Sequence, residues 1–143
     1  MQLSLYSDYA LRTLMALAAS GKILSVEEIA RRYGISRNHL AKVAQQLQAE
    51  AYIHTFRGRG GGMKLARKPE DIVVGDVVRR FERFDGFVAC FAGGGGCTVD
   101  GPCGLKPALN AALGAFLAEL DKYRLSELVR ERHSFAERLA LAV

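Results

Sequence analysis

The sequence predicts a mainly α-helical chain carrying one small β-hairpin, and three observations lead there. Apolar residues recur at helical spacing in three segments before residue 50. Two short β-prone runs, 52–56 and 63–65, flank Arg57-Gly58-Arg59-Gly60-Gly61-Gly62. A long apolar helical pattern follows residue 104.

Each element has a local cause. Ser7 is placed to cap a first helix in which Ala10, Leu11, Leu14, Met15, Leu17 and Ala18 share one face, ending near Gly21. Ser25 with Glu28 forms a capping-box pattern that opens a second helix, Val26 to Tyr33, and Gly34 stops it. Ser36 caps a third, with Leu40, Val43, Ala44 and Leu47 on one side. Tyr52-Ile53-His54-Thr55-Phe56 and Met63-Lys64-Leu65 are the arms of a hairpin with a basic, glycine-rich tip. Three helices, the last two separated by a short Gly-Ile-Ser turn, and then a hairpin are the order of a winged helix-turn-helix.

Val74, Val77, Val78 and Phe81 predict a further helix within 73–84. Pro107 is tolerated only in a first helical turn, which starts the next helix near residue 104 or 105. There Leu109, Leu113, Phe116, Leu120 and Tyr123 alternate by four and three, a seam suited to another helix. At roughly 1.5 Å per residue such a helix would run roughly 30 Å. A second copy of the chain is the expected cover, making this a dimerisation helix; the alternative is that it folds back on its own domain. A short helix is expected at Ser126 to Glu131, and the last residues carry no clear pattern. The expected layout is a winged domain over 1–83, a cysteine loop over 84–104, the dimerisation helix and short helix over 105–131, and a tail over 132–143.

The 143 residues, half of them apolar, suffice for one compact domain plus an arm. Charge divides unevenly. Residues 1–68 carry 11 Lys and Arg against 4 Asp and Glu, a net +7, whereas residues 69–143 carry 9 against 11, a net −2. The first half is therefore expected to meet a polyanion. Leu14 to Ala19 is too short, and Asp8 too near, for a secretory leader, and no run approaches the roughly 20 apolar residues of a membrane span. A soluble cytoplasmic protein without a membrane partner is expected.

Two basic segments point to double-stranded DNA. Ser36, Arg37, Asn38 and His39 occupy the first turn of the third helix, where this architecture reaches base edges, with Lys42 one turn on. Arginine can bridge guanine and asparagine adenine, while lysine favours phosphate. At the hairpin tip, Arg57 and Arg59 can enter a groove that the glycines let the backbone approach. A nucleotide phosphate loop is excluded, because Gly62 is followed by Met63-Lys64-Leu65 rather than Lys-Ser/Thr, and because the loop joins two strands. Helix capping and ordinary solvation account for the same residues taken singly; the two segments together favour DNA.

All three cysteines, Cys90, Cys97 and Cys103, lie in one glycine-rich stretch, with six and five residues between them. Three thiols cannot pair off within one chain, and a reducing compartment disfavours disulfides. Zinc knuckles use closer pairs. Widely spaced thiols in a polar loop that Gly93 to Gly96 allow to wrap suit an iron–sulfur cluster. A metal-free redox pair of Cys97 and Cys103 is the alternative. A DNA-reading half has no purpose in an electron carrier or an iron–sulfur enzyme, so no catalytic activity is expected.

The segments "LYSDYALRTLMALA", "GISRNHLAKVAQQL", "RGRGGGMKLAR", "IVVGDVVRRFE", the three cysteines and "LDKYRLSELV" together resemble the family of winged-helix iron–sulfur transcriptional repressors that includes IscR and NsrR. "SRNHLAK" and "CGLKPAL" are most similar to its nitric-oxide-sensing branch. The resemblance implies a homodimer that binds a palindrome-like operator while cluster-loaded and releases it when nitric oxide attacks the cluster; regulation by iron or iron–sulfur supply is the alternative. It also implies the ligands. In the IscR-like branch a histidine three residues after the last cysteine helps hold a [2Fe–2S] cluster, but Lys106 stands there. In the NsrR-like branch an aspartate from the partner's first helix completes a [4Fe–4S] site, and Asp8 matches that position, which makes [4Fe–4S] the expected cofactor. By its spacing alone, Asp8 would simply pair with Arg12.

Overall fold

The computed structural model describes residues 2–93 and 97–143 and contains seven α-helices and a two-stranded antiparallel sheet among them. Helix α1 spans Leu5–Ser20, α2 Val26–Tyr33 and α3 Arg37–Ala49. Strands β1 (Ile53–Phe56) and β2 (Gly62–Leu65) follow, then α4 (Val74–Phe81), α5 (Leu105–Leu120), α6 (Leu125–Leu128) and α7 (Arg132–Arg138).

The expected caps at α2 and α3 form. Ser25 Oγ accepts from the Glu28 amide at 3.0 Å, and Ser36 Oγ accepts from that of His39 at 3.5 Å. Such a cap is worth about 1 kcal/mol. Glu28 leaves the box half closed, because its carboxylate turns to Arg32 at 2.8 Å. Gly34 ends α2 with φ +65°, a left-handed conformation that glycine adopts without steric cost. At α1 the expected cap is displaced: Ser4 caps the helix, its Oγ accepting from the Ser7 amide at 3.2 Å. Ser7 lies inside the first turn, fully buried.

The core forms where α1 crosses α3 and α4, with Leu14, Ile29, Leu40, Leu47, Ile53 and Val77 each 1% exposed or less. The hairpin pairs Ile53 with Leu65 and His54 with Lys64, so Ile53 and Met63 face inward while His54 and Lys64 face solvent. An isolated bridge between Leu24 and Met63 fastens the hairpin to the segment before α2.

Three expectations shift in the second half. Helix α4 stops at Phe81 rather than continuing to residue 84, because the Glu82 backbone is extended and its side chain bonds to the start of α1. Helix α5 ends at Leu120, so its 16 residues span about 24 Å, shorter than the expected run. The short helix begins at Leu125, not Ser126, because the Leu125 amide is drawn to the Ile72 carbonyl at 2.9 Å.

Residues 132–138, which carried no clear sequence pattern, are helical and pack on α1, burying Ala136 completely. Two arginines hold this region. Arg132 donates to the Ala19 and Ser20 carbonyls at the end of α1, and Arg32 of α2 donates to those of Leu139 and Ala140. Ser20 Oγ also donates to the Ala142 carbonyl at 3.0 Å. Among the described residues no helix is long and apolar enough to cross a membrane.

Candidate nucleic-acid interface and cysteine centre

The first turn of α3 presents Ser36, Arg37, Asn38 and His39 to solvent, with Lys42 exposed one turn on. Arg57 and Arg59 are exposed at the hairpin tip. None of Arg37, Lys42, Arg57 and Arg59 takes part in an ion pair among the described residues, whereas Arg12, Arg32, Arg79, Arg80, Arg83 and Arg130 all do. These four cations are therefore free to exchange counterions for phosphates. Lys64 joins them: it is exposed on β2 opposite His54, a position that strand alternation alone would have revealed.

The recognition helix is fastened from behind. The Tyr6 hydroxyl of α1 donates to the Lys42 carbonyl at 3.2 Å, and Gln46 Nε2 donates to the Arg80 carbonyl of α4 at 3.1 Å. Arg80 pairs with Glu50, which follows α3, and Thr55 of β1 donates to Gln48 Oε1 at 3.0 Å. Local pattern could not reveal these bonds, since the residues in three of the four are 20 or more positions apart.

All three cysteines are free thiols. Cys90 lies half-buried in a 3₁₀ turn, Ala89–Ala92, braced by the packing of Phe87 on Phe91 at 5.8 Å. Cys97 is exposed, its carbonyl accepting from the Asp100 amide at 3.2 Å. Cys103 is half-buried immediately before Gly104, the N-cap of α5. Residues 94–96, most of the run of glycines expected to let the loop wrap a cluster, lie outside the described residues.

The described residues include no cluster of three metal-ligating side chains, so the thiols are not gathered into one coordination shell. Their chemistry nevertheless fits an iron–sulfur group. Thiolate donors are the matched ligands, and Cys90 lines a cavity of about 460 Å³ between the loop and α5, together with Lys106 and Asn110. Positive charge suits bound thiolates, and both Lys106, 3.6 Å from Asp100, and the N-terminus of α5 supply it. Asp8 is half-exposed and pairs with Arg12 at 2.8 Å, the contact that its spacing alone predicts. Arg12 also lies over the Tyr33 ring at 5.6 Å.

Helix α5 rests on α4 yet buries no residue completely. Leu109, Leu113, Phe116 and Leu120 are half-buried, Tyr123 just beyond the helix is 41% exposed and Leu105 is 63% exposed.

Comparison with known proteins agrees with this architecture. The profile of the Rrf2 family, described as an iron-dependent transcriptional regulator, matches residues 3–131. The chain is 45% identical over 144 residues to the HTH-type transcriptional regulator NsrR of Bacillus subtilis (strain 168), covering 99% of each chain. It is 43% identical over 137 residues to the NsrR of Geobacillus kaustophilus (strain HTA426), covering 94% of this chain and 93% of that one. Among solved structures, T. potens IscR superposes with a TM-score of 0.73 at 25% identity, over 92% of this chain and 88% of that one. CymR, the global cysteine regulator of B. subtilis, superposes with a TM-score of 0.71 at 20% identity, over 92% and 98%, a likeness of fold. The winged helix, its unpaired cations and these matches over nearly the whole chain lead to one assignment: the chain belongs to the Rrf2 family and is a DNA-binding transcriptional regulator, not an enzyme.

Proposed function

We propose that the protein is a homodimeric repressor that senses nitric oxide through a [4Fe–4S] cluster held by Cys90, Cys97 and Cys103 of one subunit and the partner subunit's Asp8. The observation that carries this reading is the place of the three free thiols: they occupy the segment between α4, which is bonded to the recognition helix, and α5, whose apolar residues are only half covered. The NsrR name of relatives more than 40% identical supports nitric oxide as the signal.

When bound, the cluster would supply iron centres with which nitric oxide can react. The chain's own residues do the rest. Leu109, Leu113, Phe116 and Leu120 pair the subunits, and twofold symmetry sets two α3 helices against two half-sites. Arg37 and Asn38 read bases while Lys42, Arg57 and Arg59 neutralise phosphates or enter the groove. The Asp8 carboxylate leaves its Arg12 pair to reach the neighbouring loop, which links the sensor to the first helix of the other winged domain. As a hard donor among thiolates it would be the least well matched of the ligands holding the cluster. A hundredfold loss of operator affinity requires a coupling of only about 2.8 kcal/mol.

The family description as iron-dependent favours a second reading, in which cluster supply is the signal. Anaerobically purified protein is assayed for iron and sulfide while operator binding is followed against graded nitric oxide and, separately, against an iron chelator. Release at stoichiometric nitric oxide with a slow chelator response supports the first reading, and the converse supports the second. Colourless protein that binds its operator regardless would remove both.

A further inference from the structure

Glu82 performs a task that neither the DNA face nor the cysteine set accounts for. It is the first residue after α4, where its amide donates to the Val78 carbonyl at 2.8 Å. Its carboxylate Oε2 accepts from the backbone amide of Ser4 at 2.8 Å, across 78 positions of sequence. Its other oxygen, Oε1, accepts from the Arg83 amide at 3.3 Å. Ser7 is fully buried beside this anchor, its hydroxyl 3.1 Å from Ser4 Oγ. Burial pushes the Glu82 carboxyl up, but the bonds from Ser7, Ser4 and the Arg83 amide outweigh it and hold the group below the ordinary carboxylate range. An ionised carboxylate therefore sits at the positive end of α1, as the glutamate of a capping box would, yet it is supplied from the far side of the domain.

What lies on either side gives this bond a direction. Downstream of Glu82 the chain enters the cysteine segment, and Glu82, Arg83, Phe84, Phe87 and Val88 border a cavity of about 600 Å³ that Leu109 and Phe116 of α5 also line, so this stretch lies against α5 rather than in packed core. On the other side, α1 is tightly packed and carries two groups within one turn of the Ser4 anchor. Asp8 donates its amide to the Ser4 carbonyl at 3.0 Å, and Tyr6 donates its hydroxyl to the Lys42 carbonyl in the recognition helix. Tyr6 also stacks on Phe81, the neighbour of Glu82, with ring centroids 5.9 Å apart.

We propose that Glu82 is a positioning residue of the sensor: its carboxylate pins the first turn of α1 to the head of the cysteine segment, so that a shift of that segment is delivered to Asp8 and, through Tyr6, to the recognition helix. The inference rests on the cluster-sensing reading above. It adds a circuit, because the α1 held by one subunit's Glu82 presents Asp8 to the other subunit's cysteines, so each loop governs a ligand of its neighbour's site.

The test uses Glu82→Ala and Glu82→Gln in the full chain, prepared without oxygen. Glutamine keeps a carbonyl acceptor for the Ser4 amide and alanine does not. Three readouts are taken: iron and sulfide per chain, the ratio of operator affinities between cluster-loaded and cluster-free protein, and amide exchange at Ser7 and Asp8 in the cluster-free protein. Glu82→Ala is expected to load iron, to lower the affinity ratio at least tenfold and to speed exchange at both amides at least tenfold. Glu82→Gln should stay within about threefold of the parent in both. Tyr6→Phe keeps the ring on Phe81 and loses only the bond to Lys42, so it should lower the ratio without changing exchange; it decides the matter if Glu82→Ala fails to fold. A loaded Glu82→Ala protein with the full ratio, or unchanged exchange, overturns the proposal. If the parent protein holds no iron or shows no ratio, the cluster-sensing reading itself has failed and the relay falls with it, while exchange still reports whether Glu82 holds the helix.

Discussion

Arg79 of α4 grips Asp121, the residue that caps α5, with both terminal guanidinium nitrogens, its Nη2 lying 2.7 Å from Oδ2. Both groups are exposed, and each strengthens the ionisation of the other: the hydrogen bond raises the Arg79 pKa and lowers that of Asp121. The clasp is possible because residue 75 has no side chain, since a Cβ there would overlap Asp121 Oδ1. Around it, the Val74 amide donates to the Tyr123 carbonyl at 3.0 Å and an antiparallel bridge joins Val73 to Arg124. The far end of α5 is thus fixed to the winged domain.

Gly75→Ala is therefore expected to break the clasp yet to change urea unfolding by less than about 1 kcal/mol, because the displaced Asp121 carboxylate is the exposed end of a flexible side chain and alanine favours the helix. Arg79→Ala, which removes only an exposed ion pair, should cost less than about 1 kcal/mol. In Gly75→Ala/Asp121→Ala the two effects should fall short of their sum, because the second change removes the obstacle met by the first. Strict additivity would mean that the two residues do not meet.

Tyr33 should shape the alkaline limit of stability. Burial raises its pKa, the Arg12 charge lowers it and Asp8 raises it, leaving it pushed up to about 12. Its hydroxyl donates to the Arg12 carbonyl at 3.2 Å, a bond that needs the proton. A folded-state pKa above the unfolded value of about 10 gives stability that is whole below pH 10 and is lost as pH climbs toward 12. Unfolding midpoints between pH 9 and 12 should fall more steeply in the parent than in Tyr33→Phe.

Lys42→Ala and Arg57→Ala should each weaken operator binding about tenfold with iron content unchanged, since both side chains are exposed on the DNA face and unpaired. For a phosphate-contacting Lys42 the slope of log affinity against log salt should become shallower by about one unit. Wild-type affinity and slope would remove the assignment.

Serine at any of Cys90, Cys97 or Cys103 should give nearly colourless protein that still dimerises, because the Leu109 to Leu120 face uses no sulfur. Sedimentation and iron analysis on the same sample separate the two properties. A brown Cys97→Ser protein with full iron would show that the three thiols are not a common ligand set.

For Asp8 the informative species is a mixed dimer of one Asp8→Ala chain and one chain with all three cysteines changed to serine. Its single site is built on the cysteines of the first chain and, by the cross-subunit reading, receives Asp8 from the second. It should lose its cluster at the parent rate under nitric oxide. Loss at the faster rate expected of the Asp8→Ala homodimer would place the ligand within one chain.

The legible parts of this molecule are those decided within one or two helical turns. Ser25 and Gly34 bound α2, and Leu40, Val43, Ala44 and Leu47 face inward, because capping, left-handed geometry and helical spacing are local. The first cap was misplaced by three residues: Ser4 and Ser7 are equally good candidates by pattern, and a carboxylate 78 positions away favours the earlier one by satisfying its amide. Helix α7 escaped notice for a like reason, since its place depends on Arg32 and Arg132 finding carbonyls more than 100 positions distant. In the candidate site, the exposed cations of α3 and the hairpin were readable from charge and order alone. The bonds that hold α3 from behind were not, and neither sequence spacing nor the single chain gathers the three thiols.

The arginine clasps on α7 also govern the order in which the chain can be completed during synthesis. Helix α1 is made first, but Ala136 and Leu141, which belong to the same core, emerge about 120 residues later, and Ser20 waits for the Ala142 carbonyl. Pairings between such distant positions raise the contact order and slow the search for the native state. The part of α1 that α7 covers therefore stays open until α7 has been made, an interval in which its apolar side chains are exposed to association.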